Sequence, residues 1–175
     1  MTGQKRSAAL TSLAIVLLSS TLLRAQENPP ITASAGDKKF VVNGMAANLA
    51  EIQLGQLALQ KASNSDVKQF AQQLIDDHTK LDYQLKPLAP ELGLTPPTQL
   101  APKDQILLTK LQGLSGPAFD KAYVSAMITE HKDADKAFKS EEIGGKNLAV
   151  KDAATQGESV VAQHLQMAQQ LQKKL

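Results

Sequence analysis

The chain has no cysteine and no tryptophan, and its aromatic residues amount to two tyrosines and four phenylalanines. Without cysteine there is no disulfide, no thiolate metal site and no cysteine nucleophile. So few aromatics, with no basic stripe among the 19 lysines and arginines, argue against a nucleic-acid surface. No G-x-S-x-G elbow marks a serine hydrolase, and no glycine-rich loop is placed to cradle a phosphate; Gly144-Gly145 reads as a helix stop. These absences make an enzyme the weaker expectation. Strand-like alternation is missing throughout. Histidine is scarce as well, with only three in 175 residues, and their placement proves to be the main clue.

The first thirty residues differ from the rest. Lys5 and Arg6 are basic, Leu10 to Leu23 is an apolar stretch softened by Ser and Thr, and Ala25 precedes polar Gln26-Glu27-Asn28 and Pro29-Pro30. This is the pattern of a secretory signal peptide over residues 1–25, although Leu23 stands where a small residue is usual. It predicts export across the inner membrane, to the periplasm or an outer-membrane-associated position. No second stretch is long and apolar enough to span a bilayer, so no stable membrane span is expected after cleavage. Cleavage would remove Lys5, Arg6 and Arg24, leaving 16 basic residues against 17 acidic ones. Residues 26–38 read as a flexible linker and 39–175 as one folded domain, long enough to bury a single core.

Four long helices are predicted within that domain. Helix A spans about Phe40 to Ala62, with one stripe of Val41, Met45, Leu49, Ile52 and Leu59 and a second of small residues, Gly44, Ala47, Gly55, Ala58 and Ala62, interrupted by Glu51. Helix B follows the capping-rich Ser63-Asn64-Ser65-Asp66 and runs to about Ala89, with Pro87 and Pro90 disturbing its end. Residues 90–116 form a long connection with a short helix over Lys103–Leu114; its length allows either a crossover or a simple antiparallel return. Helix C runs from Ser115-Gly116-Pro117 to about Glu142, and helix D from about Asn147 to the C-terminus. The fold class is therefore all-α, a four-helix bundle with one short extra helix in the B–C connection.

His78, His131 and His164 each sit near the middle of a different long helix, and Glu51 near the middle of the remaining one. Mid-helix groups share one level of a bundle whichever way the helices run, so these four metal-competent side chains can meet in one layer. Asp82 and Asp135 lie four residues after His78 and His131 and are candidate partners for the outer ring nitrogens. The acids immediately before, Asp77 and Glu130, are rotated about 100° away, towards a neighbouring helix or solvent. Periodicity leaves open whether Glu130 or His131 points inward. The segments Leu74–Leu85, Met127–Phe138 and Val160–Leu171 also resemble one another, the first two down to their acids, as a duplication would produce.

Gly44–Asn64, Val67–His78, Phe119–His131 and the late His164-Leu165 resemble the bacterial family named domain of unknown function 4142 (DUF4142), over nearly all of residues 38–172. The resemblance implies an exported, ferritin-like bundle and brings no established activity. One transition-metal ion (Zn, Cu, Fe or Ni) held by Glu51, His78, His131 and His164, with Asp82, Glu130 and Asp135 behind them, is one candidate chemistry. The alternative is an envelope structural or interaction protein whose buried His/Glu layer only fixes helix register. A carboxylate-bridged di-iron site is disfavoured, because Ile75, Ile128 and Val161 stand three residues before the histidines where that motif needs Glu. Nothing in the sequence names a protein partner or an oligomeric state.

Overall fold

Local side-chain chemistry sets the helix starts. Ser34 accepts a hydrogen bond from Asp37 N while the Asp37 carboxylate accepts one from Ser34 N, a capping box that starts the first helix. Asn64 and Asn147 cap two later helices through their side-chain oxygens, and Pro102 occupies the first turn of another. The computed structural model describes residues 32–175 and contains α1 (Ala35–Lys61), α2 (Ser65–Leu85), α3 (Leu88–Glu91), α4 (Pro102–Gln112), α5 (Gly116–Gly144) and α6 (Leu148–Gln172). The signal-peptide region lies outside the described residues. The capping box starts α1 at Ala35, so the last residues assigned to the linker are helical. The long connection carries two helical pieces rather than one, because Lys86-Pro87 ends α2 and a single extra turn, α3, follows.

The long helices form two antiparallel hairpins, α1/α2 and α5/α6, which meet along the narrower α1/α5 and α2/α6 seams. The start of α1 lies beside the α5–α6 turn, and the start of α5 beside the α1–α2 turn. Helices α2 and α5 therefore point the same way, and the connection between them crosses the length of the bundle. This settles the alternative left by the sequence: the topology is a ferritin-like four-helix bundle with one crossover. α1 and α2 approach closely at Gly55, since a Cβ there would come within 2.7 Å of Ile75 Cγ1 and 3.2 Å of the Ala71 carbonyl. Gly116 takes a φ of 58°, a left-handed conformation that favours glycine before Pro117.

Two buried aspartates bind the hairpins reciprocally. Asp120 of α5 accepts hydrogen bonds from Ser63 N (3.1 Å), Ser63 Oγ (2.5 Å) and Asn64 N (3.0 Å) in the α1–α2 turn. Asp37 of α1 accepts from Lys146 N (2.8 Å) and Asn147 N (3.3 Å) in the α5–α6 turn. Burial alone would raise the Asp37 pKa, but hydrogen bonds from Glu141, Ser34 and Lys146 hold it well below the usual carboxylate range. Its neighbour Glu141 is pushed up to about 7, first by burial and then by Asp37. The matched contacts pair α1 with α5 and α2 with α6. The two most similar histidine segments fall on α2 and α5, which do not occupy matching places, so this pairing gives their likeness no structural counterpart.

The core has two apolar parts. Leu54, Phe70, Leu74, Phe119, Tyr123 and Met127 belong to the larger, and Phe40, Val41, Met45, Leu85 and Val150 to the smaller. Between them on their helices lie Asn48, Glu51, His78, His131 and His164, all buried. Among the described residues no helix is long and apolar enough to cross a membrane. Replacing Asp120 by Ala leaves two backbone N–H groups of the α1–α2 turn without their acceptor, and should lower stability by about 3 kcal/mol. Asp66→Ala, on the exposed α2 start, should change stability by less than about 0.5 kcal/mol; urea unfolding of the two variants checks the contrast.

Candidate metal centre

Each histidine enters the centre from its own helix: His78 from α2, His131 from α5 and His164 from α6. Each is no more than 4% exposed. One nitrogen from each imidazole lies within 4.8 Å of one from each of the others, and ring centroids are 5.3–5.6 Å apart. Glu51 of α1 lies beside two of the rings. Its Oε2 is 3.3 Å from His78 Nε2, and its Oε1 is 3.6 Å from His131 Nδ1. The geometry thus brings the three histidines together as one cluster, with Glu51 beside His78 and beside the outer nitrogen of His131.

Hydrogen bonds on the outer ring nitrogens dictate where the inner lone pairs point. His131 Nδ1 lies 2.9 Å from the Met127 carbonyl, which only accepts, so Nδ1 carries hydrogen and Nε2 presents a lone pair. His164 Nε2 lies 3.1 Å from Asp77 Oδ2. Burial pushes Asp77 upward, but Lys80 and His164 more than offset it and keep the carboxylate ionised. His164 Nε2 therefore donates, and its Nδ1 presents a lone pair. The two lone pairs face each other, with His131 Nε2 and His164 Nδ1 3.3 Å apart. His78 repeats the pattern: Nδ1 donates to Asn48 Oδ1 at 3.0 Å, and Nε2 is buried without a hydrogen-bond partner.

A proton does not relieve this convergence. Burial, followed by the charge of His164, pulls the His131 pKa down to about 4. Burial with His131 and His164 pulls His78 well below its ordinary value, and burial lowers His164 despite the opposing Asp77. Glu51 is pushed up to about 8, chiefly by burial and then by the charge of Glu130, with Lys103 opposing. At neutral pH the layer is three uncharged imidazoles and one protonated carboxyl. A cation fits the donors better. Two nitrogens about 2.05 Å from a tetrahedral ion lie about 3.3 Å apart, the separation of His131 Nε2 from His164 Nδ1.

The outer partners differ from those expected. Asp82 pairs with Lys86 at 2.6 Å and Asp135 with Lys139 at 2.8 Å, and neither is bonded to a histidine. Four residues turn a helix by about 40° beyond a full turn, which carries both aspartates to the solvent boundary, where a lysine and water suit an anion better than the core does. Glu130 turns outward to Lys103 at 2.6 Å, while His131 takes the inward place. The groups that do orient the rings are Asn48, the Met127 carbonyl and Asp77. Asn48, one turn before Glu51 between the two stripes read from helix A, was missed; its polarity inside an apolar arc was the available signal. Asp77 reaches the histidine of a neighbouring helix, α6, rather than its own.

The crossover four-helix topology gives this chain a ferritin-like fold, with a buried three-histidine cluster in its core. A family model described as domain of unknown function DUF4142 matches residues 22–171, and the chain belongs to that family. No curated protein matches it significantly. Among solved structures it is similar to a DUF305 fragment from Deinococcus radiodurans, with a TM-score of 0.73 and 15% identity, covering 84% of this chain and 100% of that one. At that identity the likeness concerns the fold.

The pKa shifts of His131 and Glu51 give metal-free protein two opposed pH dependences. The His131 contribution is complete above about pH 6.5 and is lost as pH falls towards its folded value of about 4. The Glu51 contribution is complete below the ordinary value of 4.5 and is lost as pH rises towards about 8. Chelator-treated protein and its Glu51→Gln variant, unfolded in urea from pH 5 to 8, should therefore diverge. The variant gains steadily on the wild type as pH increases; parallel curves would contradict a protonated, buried Glu51.

Proposed function

We propose that the chain is an exported, periplasmic ferritin-like bundle that binds one transition-metal ion through His78, His131 and His164, with Glu51 as fourth donor. The observation that carries this reading is the convergence of imidazole lone pairs in a buried layer where protonation is disfavoured, each outer nitrogen already donating to a carbonyl or carboxylate oxygen. That outer arrangement is how metal-binding histidines are usually held and tuned. Neutral imidazoles with one carboxylate suit Zn, Cu, Fe or Ni. Export rests on residues 1–25, whose basic start, apolar stretch and Ala25 have signal-peptide character.

Metal-free protein titrated with Co²⁺ or Zn²⁺ should bind one ion per chain. Asp77→Asn removes the carboxylate behind His164 and should weaken binding about 10- to 100-fold, whereas Asp82→Asn should leave affinity unchanged. Below pH 8 Glu51 must lose its proton to coordinate. Affinity should then rise about tenfold per pH unit between pH 5 and 8 and level off above, and Glu51→Gln should flatten that slope. Absence of stoichiometric metal in the wild type, with His164→Ala merely less stable, would instead support a layer that fixes helix packing.

A further inference from the structure

We propose that the groove between α1 and α5 is the route by which a hydrated divalent transition-metal cation enters the histidine layer, with Lys103 of α4 as its displaceable plug. The inference rests on the metal-centre reading and adds how the ion gets in. A buried layer in the middle of a long bundle needs a path to solvent, and the α1/α2 and α5/α6 faces are closely packed. The α1/α5 and α2/α6 seams are both narrower, and along the first small residues, Gly44 and Ala47 on α1 with Ala134 and Ala137 on α5, leave a groove of about 550 Å³.

The groove reaches Lys103, Asp104 and Glu130, and helical register places the centre one turn further in. One turn beyond Ala47 on the same face of α1 is Glu51, and one turn before Ala134 on α5 is Glu130. At that end Lys103 bridges Glu130 at 2.6 Å and buried Asp104 at 3.5 Å. Behind this pair lies Glu51, 5% exposed, with Oε2 lacking a hydrogen-bond partner. Carboxyl groups thus mark the way from the rim to the histidines. The Lys103 side chain is 68% exposed, and ion pairs of that kind are weak and readily exchanged. A doubly charged cation competes with one ammonium for the same carboxylates, which also focus cations from solvent. An anionic complex would be repelled.

The test is stopped-flow uptake of Co²⁺ by metal-free protein, with release of bound Co²⁺ followed in excess EDTA. Lys103→Met should quicken uptake and release together, about three- to tenfold, because removing a plug lowers the barrier in both directions. Filling the groove with the double substitution Ala47→Leu and Ala134→Leu should slow both steps about tenfold or more, at unchanged stoichiometry. Ala47 is exposed and Ala134 half-buried, so the added side chains occupy the groove and not the core; circular dichroism and urea midpoints verify folding. If wild type takes up Co²⁺ but both variants keep wild-type rates, the route is overturned and the metal centre stands. Faster uptake with unchanged or slower release in Lys103→Met would reduce Lys103 to a remote charge and overturn its role as a plug. A wild type that binds no Co²⁺ overturns both readings.

Discussion

Three imidazoles share one buried level of the core, and the surrounding structure is arranged around the difficulty of keeping them there. An unpartnered buried nitrogen is costly, and protonation in that environment costs still more. The bundle meets the first demand from outside the ring of donors, with a side-chain amide, a helix carbonyl and a carboxylate each taking one N–H. Those acceptors fix the tautomers, and the tautomers aim the remaining lone pairs inward. Packing, hydrogen bonding and coordination chemistry are here consequences of one another.

The same layer constrains the helices. It lies between two apolar regions, so a slip of α2, α5 or α6 by one turn would carry an imidazole towards apolar surroundings and bring an apolar side chain into the polar level. Asp37 and Asp120 guard against that slip from the two ends of the bundle. The small residues along α1 and α5 act in the opposite sense, since they leave that seam less filled than the hairpin faces. The bundle is thus rigid in register and open along one side.

Much of this was legible in the sequence because helical periodicity is a local property. The four long helices, the breaks at Ser63-Asn64 and Gly144-Gly145, and the meeting of Glu51 with the histidines all follow from spacing along the chain. Gly145 stops α5 for a reason spacing does not show: its φ is negative, and a Cβ would collide with the Glu141 carboxyl. What spacing missed depends on neighbours. Asp82 shares a helix face with His78 yet answers to Lys86, while Asp77, a quarter-turn away, reaches across to His164. Whether an acid faces its own histidine or another helix's depends on which helix lies beside it. Sequence periodicity could not choose between a crossover and a simple return, and those two arrangements give each helix different neighbours.

The exchange of aspartates has a meaning for how the molecule holds together. Each bend borrows its acceptor from the opposite half of the chain, so neither half carries a complete set of backbone partners by itself. A severed amino-terminal pair of helices would expose bare amides at Ser63 and Asn64, and its counterpart would do so at Lys146 and Asn147. Disassembly should therefore proceed as a single event, and any ligand gripping the middle would tighten both extremities at once.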